Sequence, residues 1–180
     1  MKVYTRRGDD GTTGLLYGGR VGKDSPVIEA NGAVDEAQAA LGVVRAEVER
    51  GSHLDDLLVR LERELYVLMA DVATAEANRS KLVPDVSLVT AAMVDALEVA
   101  IDDLAGRFPP LTDFVVPGHD RVAAGLDVAR TVVRRAERLA VAVVLPGSPV
   151  TAYLNRLSDL VWTMARWQEQ GDSLLSRQSR

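Results

Sequence analysis

Nine consecutive residues, Arg130-Thr131-Val132-Val133-Arg134-Arg135-Ala136-Glu137-Arg138, hold four arginines and a glutamate. On a helix turning about 100° per residue, Arg130, Arg134 and Glu137 stand in one row at i, i+4 and i+7. The row lies beside an apolar stripe of Leu126, Ala129, Val133, Ala136, Ala140 and Val143. Arg135 and Arg138 point away from it. Two guanidinium forks in register, with an acid to orient them, suit a multiply charged anion, because each fork makes bidentate hydrogen bonds to phosphate oxygens. A solvated face laced with ion pairs has the same composition, so the row alone does not decide a function.

Three further groups bear on the question. Thr5-Arg6-Arg7-Gly8-Asp9-Asp10-Gly11-Thr12-Thr13-Gly14 is rich in glycine, hydroxyl and charge. Glycines 8, 11 and 14 let backbone amides approach a phosphate, and Thr12 and Thr13 add hydroxyls. Lys23 is placed to reach back as a point charge on the same anion. No Gly-Lys-Ser/Thr follows, so this is not a Walker A loop, and a flexible N-terminal arm reads equally well. Asn155, Asp159, Trp162 and Arg166 share one helical face; they suit a purine or ribose, or a hydrogen-bonded bundle surface. Asp35 lies off the apolar stripe near the start of the first helix, where the helix dipole favours an acid. It is also a natural partner for an arginine of a neighbouring helix or subunit.

The elements that must position these groups are helical. Ser25 and Pro26 predict a helix start, followed by Val34, Ala37, Leu41, Val44 and Val48 in phase and a stop at Gly51-Ser52. Leu54, Leu58, Leu61, Leu65, Leu68, Val72 and Ala75 alternate steps of four and three, a bundle seam. After a break at Pro84-Asp85, Met93, Leu97, Ala100 and Leu104 predict a third helix, stopped by Phe108-Pro109-Pro110. The arginine helix is fourth, to about Leu145, and a Ser148-Pro149 start opens a fifth, to about Gln168. The expectation is an all-α, five-helix up-and-down bundle in one domain: an extended Gly/Thr-rich loop at 1–24, helices over 25–169, and a flexible tail at 170–180.

Composition narrows the classes. Hydrophobic residues make up 47% and aromatics 4% of the 180 residues, so the core is aliphatic. A net charge of −5 argues against general nucleic-acid affinity. The chain has no cysteine, which excludes disulfides and thiolate metal sites, and its two histidines, His53 and His119, are not in a metal-ligand spacing. No stretch approaches the ~20 apolar residues of a membrane span, and the N-terminus lacks a signal peptide's apolar run. The expectation is a cytoplasmic protein.

Six motifs in order resemble the PduO-type ATP:cob(I)alamin adenosyltransferases: Tyr-Thr-Arg-Arg-Gly-Asp-Asp-Gly-Thr-Thr, Arg20-Val21-Gly22-Lys23-Asp24, Val34-Asp35-Glu36, Phe114-Val115-Val116-Pro117-Gly118, RTVVRRAER and YLNRLSD. The resemblance covers essentially the whole chain. It implies transfer of the 5′-deoxyadenosyl group of ATP to the cobalt of cob(I)alamin, with Mg²⁺ mainly on the ATP phosphates and release of triphosphate. It implies a homotrimer with sites between subunits, and it admits a flavoprotein reductase and a cobalamin-dependent client enzyme as partners. By position, Thr5, Arg6, Arg7, Gly8, Asp9, Gly11, Thr12, Thr13 and Lys23 would cradle the triphosphate. Arg134, Glu137 and Asn155 would contact the nucleotide, Arg130 would pair with Asp35 across the subunit boundary, and Phe114 would line the corrin side. Arg130, Arg134 and Asp35 are thus the residues on which catalysis would turn. Two positions depart from the family: Arg6 stands where it usually has lysine, and His119-Asp120 follows Gly118 in place of a small residue. A non-catalytic carrier of ATP or adenosylcobalamin would present the same pocket, and a structural oligomeriser would explain the leucine seam alone.

Overall fold

The computed structural model describes residues 4–177. A two-stranded antiparallel hairpin opens the chain, β1 (Thr12–Gly14) and β2 (Arg20–Gly22), with Thr13 opposite Val21. Five helices follow: α1 (Pro26–Ala46), α2 (His53–Val72), α3 (Ala91–Ala105), α4 (Arg121–Ala140) and α5 (Val150–Gln168). A short 3-10 helix, Glu76–Lys81, lies in the α2–α3 connection. The segment over residues 1–24, read from sequence as a loop, therefore contains a hairpin.

The helices start where short polar side chains satisfy the free amides of a first turn. Asp120 accepts from Val122 and Ala123 at 2.8 and 2.9 Å, Ser52 from Asp55, and Thr90 from Met93. Ser25 occupies the equivalent place before α1 but makes no capping bond, and its Oγ is buried without a partner. Pro26 carries that start instead, since its missing N–H removes one donor that would need a cap.

The seam predicted for the second helix is buried from Leu54 through Val72. It meets Ala30, Val34, Ala37 and Leu41 of α1, and Leu154, Leu157, Val161 and Met164 of α5, in one aliphatic core. Full burial of each such side chain stabilises by about 1.5–3 kcal/mol. α1 packs chiefly on α2 and α4, and α5 on α4 and α3. The order across the bundle is thus α2-α1-α4-α5-α3. The connections over 73–90 and 106–120 are long enough to carry the chain past its nearest neighbour.

Two helix ends differ from the sequence reading. α1 stops at Ala46 rather than at Gly51, and α4 at Ala140 rather than Leu145. After α4 the backbone tightens into three-residue turns, Ala142 N–H to Leu139 and Val143 N–H to Ala140, which keep Val143 against the core without continuing the helix.

Part of the segment expected as a flexible tail over 170–180 is hydrogen-bonded to the rest of the chain. Val116 N–H donates to Leu174 at 2.8 Å and Ser176 N–H to Phe114 at 2.7 Å. The chain after α5 thus pairs with the loop before α4; residues 178–180 lie outside the described residues.

α1 and α4 approach closely at Gly125, where an added Cβ would lie 2.9 Å from Val44 Cγ2. Gly125→Val should cost about 1–3 kcal/mol through overpacking, read as a lower Tm in calorimetry. An unchanged Tm would mean that the two helices have room to part.

Candidate functional site

The hairpin is organised by its own charges. Asp10 accepts the Thr12 amide at 2.9 Å and the Thr12 hydroxyl at 2.8 Å. Arg20 closes the other side: its Nε donates to Thr12 Oγ1 at 3.0 Å and its Nη2 to the Arg7 carbonyl at 2.6 Å. Neither Asp10 nor Arg20 was singled out from sequence as a site residue. Their signal was the charge on either side of a Thr-Thr-Gly strand, which reads as cross-strand pairing only once the hairpin register is known. The Thr12 hydroxyl proton is spent on Asp10, so in this arrangement Thr12 shapes the loop.

Two glycines are required for shape. Gly11 has φ +80°, a left-handed conformation that a side chain resists, and its carbonyl accepts the Lys23 amide at 2.9 Å. A Cβ on Gly8 would lie 3.1 Å from Lys23 Nζ, so the ammonium sits directly against the loop backbone. Arg6 adopts φ 61°, a strained conformation for a residue with a side chain, and its guanidinium lies 5.7 Å from the Tyr4 ring centroid. Thr5, Arg6, Arg7 and Asp9 are exposed and Thr13 is half-buried. The loop is pinned to the end of α2, where Leu16 N–H donates to Ala73 at 2.9 Å.

On α4 the apolar stripe is fully buried through Ala140, which fixes the rotation of the remaining faces. Arg134 is exposed and free of ion pairs among the described residues. Glu137 accepts from Asn155 Nδ2 at 3.3 Å, and Asn155 Oδ1 accepts from Arg156 at 2.7 Å. An acid of α4 and an amide of α5, eighteen residues apart in sequence, are thus brought together. Arg135 turns the other way, to Glu36 of α1. Asp35, one residue before, is exposed and unpaired among the described residues. Arg130 is partly buried and lies 3.5 Å from Asp127, not beside Asp35.

Phe114 is 82% exposed, the most open large hydrophobic side chain among the described residues. Its backbone is held by the pairing with Leu174–Ser176, and Asp113 receives Ser176 Oγ at 3.2 Å and Arg177 at 3.5 Å.

α4 sets the order of these groups. A cavity of about 220 Å³ lined by Leu15, Val27, Thr74, Val143 and Leu145 places the hairpin's turn at its C-terminal end. The Phe114 loop lies just before its N-terminal end. A 20-residue helix spans about 30 Å, and Arg130 and Glu137 are roughly 10 Å apart along it.

The polar face assigned to α5 divides. Asn155 is half-buried and Asp159 and Trp162 are exposed, but Arg166 is only 1% exposed and donates to Asp127 at 2.6 Å and Glu169 at 2.9 Å. Arg166 therefore belongs to the interior. Asp127 was missed, although it stands at i, i+3, i+7 with Arg130 and Arg134. Among the described residues no cluster of three or more His, Cys, Asp or Glu is placed to hold a metal ion.

Fold and site define a class: an all-α bundle with a cationic Gly/Thr hairpin at one end, an arginine row along one helix, and an exposed aromatic at the other. The chain belongs to the cobalamin adenosyltransferase family, whose model matches residues 3–168. It is 38% identical to a corrinoid adenosyltransferase of Citrobacter freundii over 93% of this chain and 95% of that one. It is 37% identical to the corrinoid adenosyltransferase PduO of the same organism, over 94% of this chain but only half of that protein's length. A variant PduO-type ATP:corrinoid adenosyltransferase from Lactobacillus reuteri, solved with cobalamin and ATP, superposes with a TM-score of 0.86 at 29% identity, covering 98% of this chain and all of that one.

The hydrogen bonds from the Thr12 amide and hydroxyl, and then the Arg20 charge, hold the Asp10 carboxyl below its ordinary 3.8. A depressed acid contributes order above its unperturbed value and loses it as pH falls through the lowered one. The Thr12 amide resonance should therefore titrate below pH 3.8 in the wild type and not in Asp10→Asn. A wild-type midpoint at or above the ordinary value would contradict the bonding described.

Proposed function

We infer that this protein transfers the 5′-deoxyadenosyl group of ATP to cob(I)alamin, giving adenosylcobalamin and triphosphate. The observation that carries the reading is the alignment along α4 of a cationic hairpin, the Arg134–Glu137–Asn155 group and the exposed Phe114, in a chain of this family. Cob(I)alamin and ATP are the substrates. The cobalt lone pair attacks C5′, the cobalt–carbon bond forms, and the C5′–O bond breaks with its electron pair leaving on triphosphate. Co(I) is strongly nucleophilic, so the protein needs no general base. Its tasks are alignment and stabilisation of the leaving charge.

In this reading the Gly8–Thr13 backbone, Thr5, Arg6, Arg7, Asp9 and Lys23 hold the triphosphate. Gly8 and Gly11 let the backbone come close, and Lys23 sits against it as a point charge. Arg134, exposed and without an ion pair among the described residues, is free to fork onto a phosphate oxygen pair. Glu137 and Asn155 orient the nucleoside through the hydrogen bond they already share. Phe114 supplies an apolar wall on the corrin side, excluding the lower axial ligand and easing reduction to Co(I). Magnesium travels on the phosphates and neutralises part of their charge.

A homotrimer belongs to the same proposal. Asp35 on α1 and the outer side of Arg130 on α4 are the groups we assign to pairing across the subunit boundary, and the exposed Val43 and Val128 give those two helices apolar surface to cover. A cytoplasmic location, a flavoprotein reductase as the source of Co(I) and a cobalamin-dependent enzyme as recipient complete it.

The test is anaerobic: protein, Mg-ATP and chemically reduced cob(I)alamin, followed by the corrin spectrum under light protection. Formation of a light-sensitive alkylcobalamin with triphosphate in step is the expected result; binding without conversion would make the protein a carrier. Arg134→Ala should lower turnover by at least about 100-fold, within the range for loss of one transition-state donor, with circular dichroism unchanged. Wild-type turnover in that variant would remove Arg134 from the site. Asp35→Ala should shift the sedimenting species toward monomer, and an unchanged profile would exclude the proposed subunit pair.

A further inference from the structure

At the Phe114 end of the bundle the interior contains a chain of charge. Arg166 is 1% exposed and lies between Asp127, 5% exposed, and Glu169, 2% exposed. One cation against two carboxylates leaves a negative charge, and Arg130, 3.5 Å from the second Asp127 oxygen, stands where it compensates that charge. Burying such a group is a costly way to stabilise a bundle, since apolar packing of the same volume serves at least as well. What it supplies is fixed geometry.

Both ends of this chain reach parts of the site. Asp127 faces one side of Arg130, the first member of the arginine row, as an ion partner at 3.5 Å, and Arg130 Nε makes no hydrogen bond among the described residues. Glu169 accepts the hydroxyl of Ser173 through its other oxygen. Ser173 begins the segment whose Leu174 carbonyl and Ser176 amide pair with Val116 and Phe114. The connection from Arg130 through Asp127, Arg166, Glu169 and Ser173 to the Phe114 loop is continuous.

We propose that Arg166 is a positioning residue that ties Arg130 to the Phe114 loop through the buried Asp127–Arg166–Glu169–Ser173 chain. The proposal rests on the assignment of the α4 arginine row, which Arg130 opens and Arg134 continues, to the nucleotide side and of Phe114 to the corrin side. Its consequence is a fixed separation between the nucleotide and corrin sides, which an in-line attack on C5′ requires. The segment after α5 is then a working part of the corrin side.

Ser173→Ala is the variant of choice, because Ser173 is half-buried and its loss leaves the Asp127–Arg166–Glu169 core intact. Amide exchange at Val116 and Ser176 should quicken about tenfold, the effect of losing one hydrogen bond to a charged group. The KM for cob(I)alamin should rise by about the same factor, with the KM for ATP unchanged. Asp127→Asn should raise the KM for ATP. The double variant should lose less in kcat/KM than the two single losses combined, because both cut one connection. A purely structural role would move both KM values together, with additive losses, and that pattern would overturn the proposal. So would unchanged amide exchange in Ser173→Ala while the wild type turns over, which leaves the assigned reaction standing. Exchange needs no substrate, so if the wild type makes no alkylcobalamin the reaction falls and the coupling is still judged on the two amides.

Discussion

A helix buried along one stripe has its other faces aimed for it, and in this protein that constraint acts on α4. Leu126, Ala129, Val133, Ala136 and Ala140 are all at zero exposure, locked between α1 and α5. Rotating α4 to move Arg134 would expose that stripe, at about 25 cal/mol for each Å² of apolar surface uncovered. Arg134 is therefore aimed by aliphatic packing and not by an ion pair of its own. This leaves Arg134 uncommitted, and a guanidinium already bound in an internal salt bridge would first have to break it to meet a phosphate.

The hairpin solves the opposite problem. It has almost no core of its own, so its shape comes from short-range polar contacts: Asp10 and Arg20 on Thr12, and Lys23 against Gly8. Such contacts are individually weak and solvent-exposed, which would suit the triphosphate-binding role proposed for this segment. Anchorage is delegated to the Leu16–Ala73 hydrogen bond at the end of α2. A rigid scaffold and an adaptable loop thus meet at one end of the bundle.

At the other end, polar interior and chain terminus cooperate. Tyr153 shows how such groups are accommodated elsewhere in the bundle: its phenol is buried and donates to Glu64 at 2.7 Å, and burial, then the Glu64 charge, raises its pKa well above 10.0. Arg166 is the charged counterpart: its Nη2 donates to both Asp127 and Glu169, while its Nε is buried without a hydrogen-bond partner among the described residues. The difference is that the Tyr153 bond joins two core helices, whereas the Arg166 cluster leads out to α4's arginine row and to the segment that pairs beside Phe114.

How much was legible follows from the range of each interaction. The seam from Leu54 to Val72, the Pro26 start and the Arg130–Arg134–Glu137 row depend on residues within two turns of one another, so periodicity and helix-start chemistry in the sequence determined them. The Gly11 position, where backbone freedom alone matters, belongs with them. Tertiary structure decided what depends on distant partners: that Arg166 faces inward to Asp127, that Arg130 lies beside Asp127 within the chain, that Asn155 meets Glu137, and that Leu174–Ser176 pairs with the Phe114 loop. A polar residue on a helix reads as exposed until a second charged residue, thirty-nine positions away for Arg166, is placed against it. Loop closure over such separations is entropically costly and is carried by the bundle core, so no local pattern announces it.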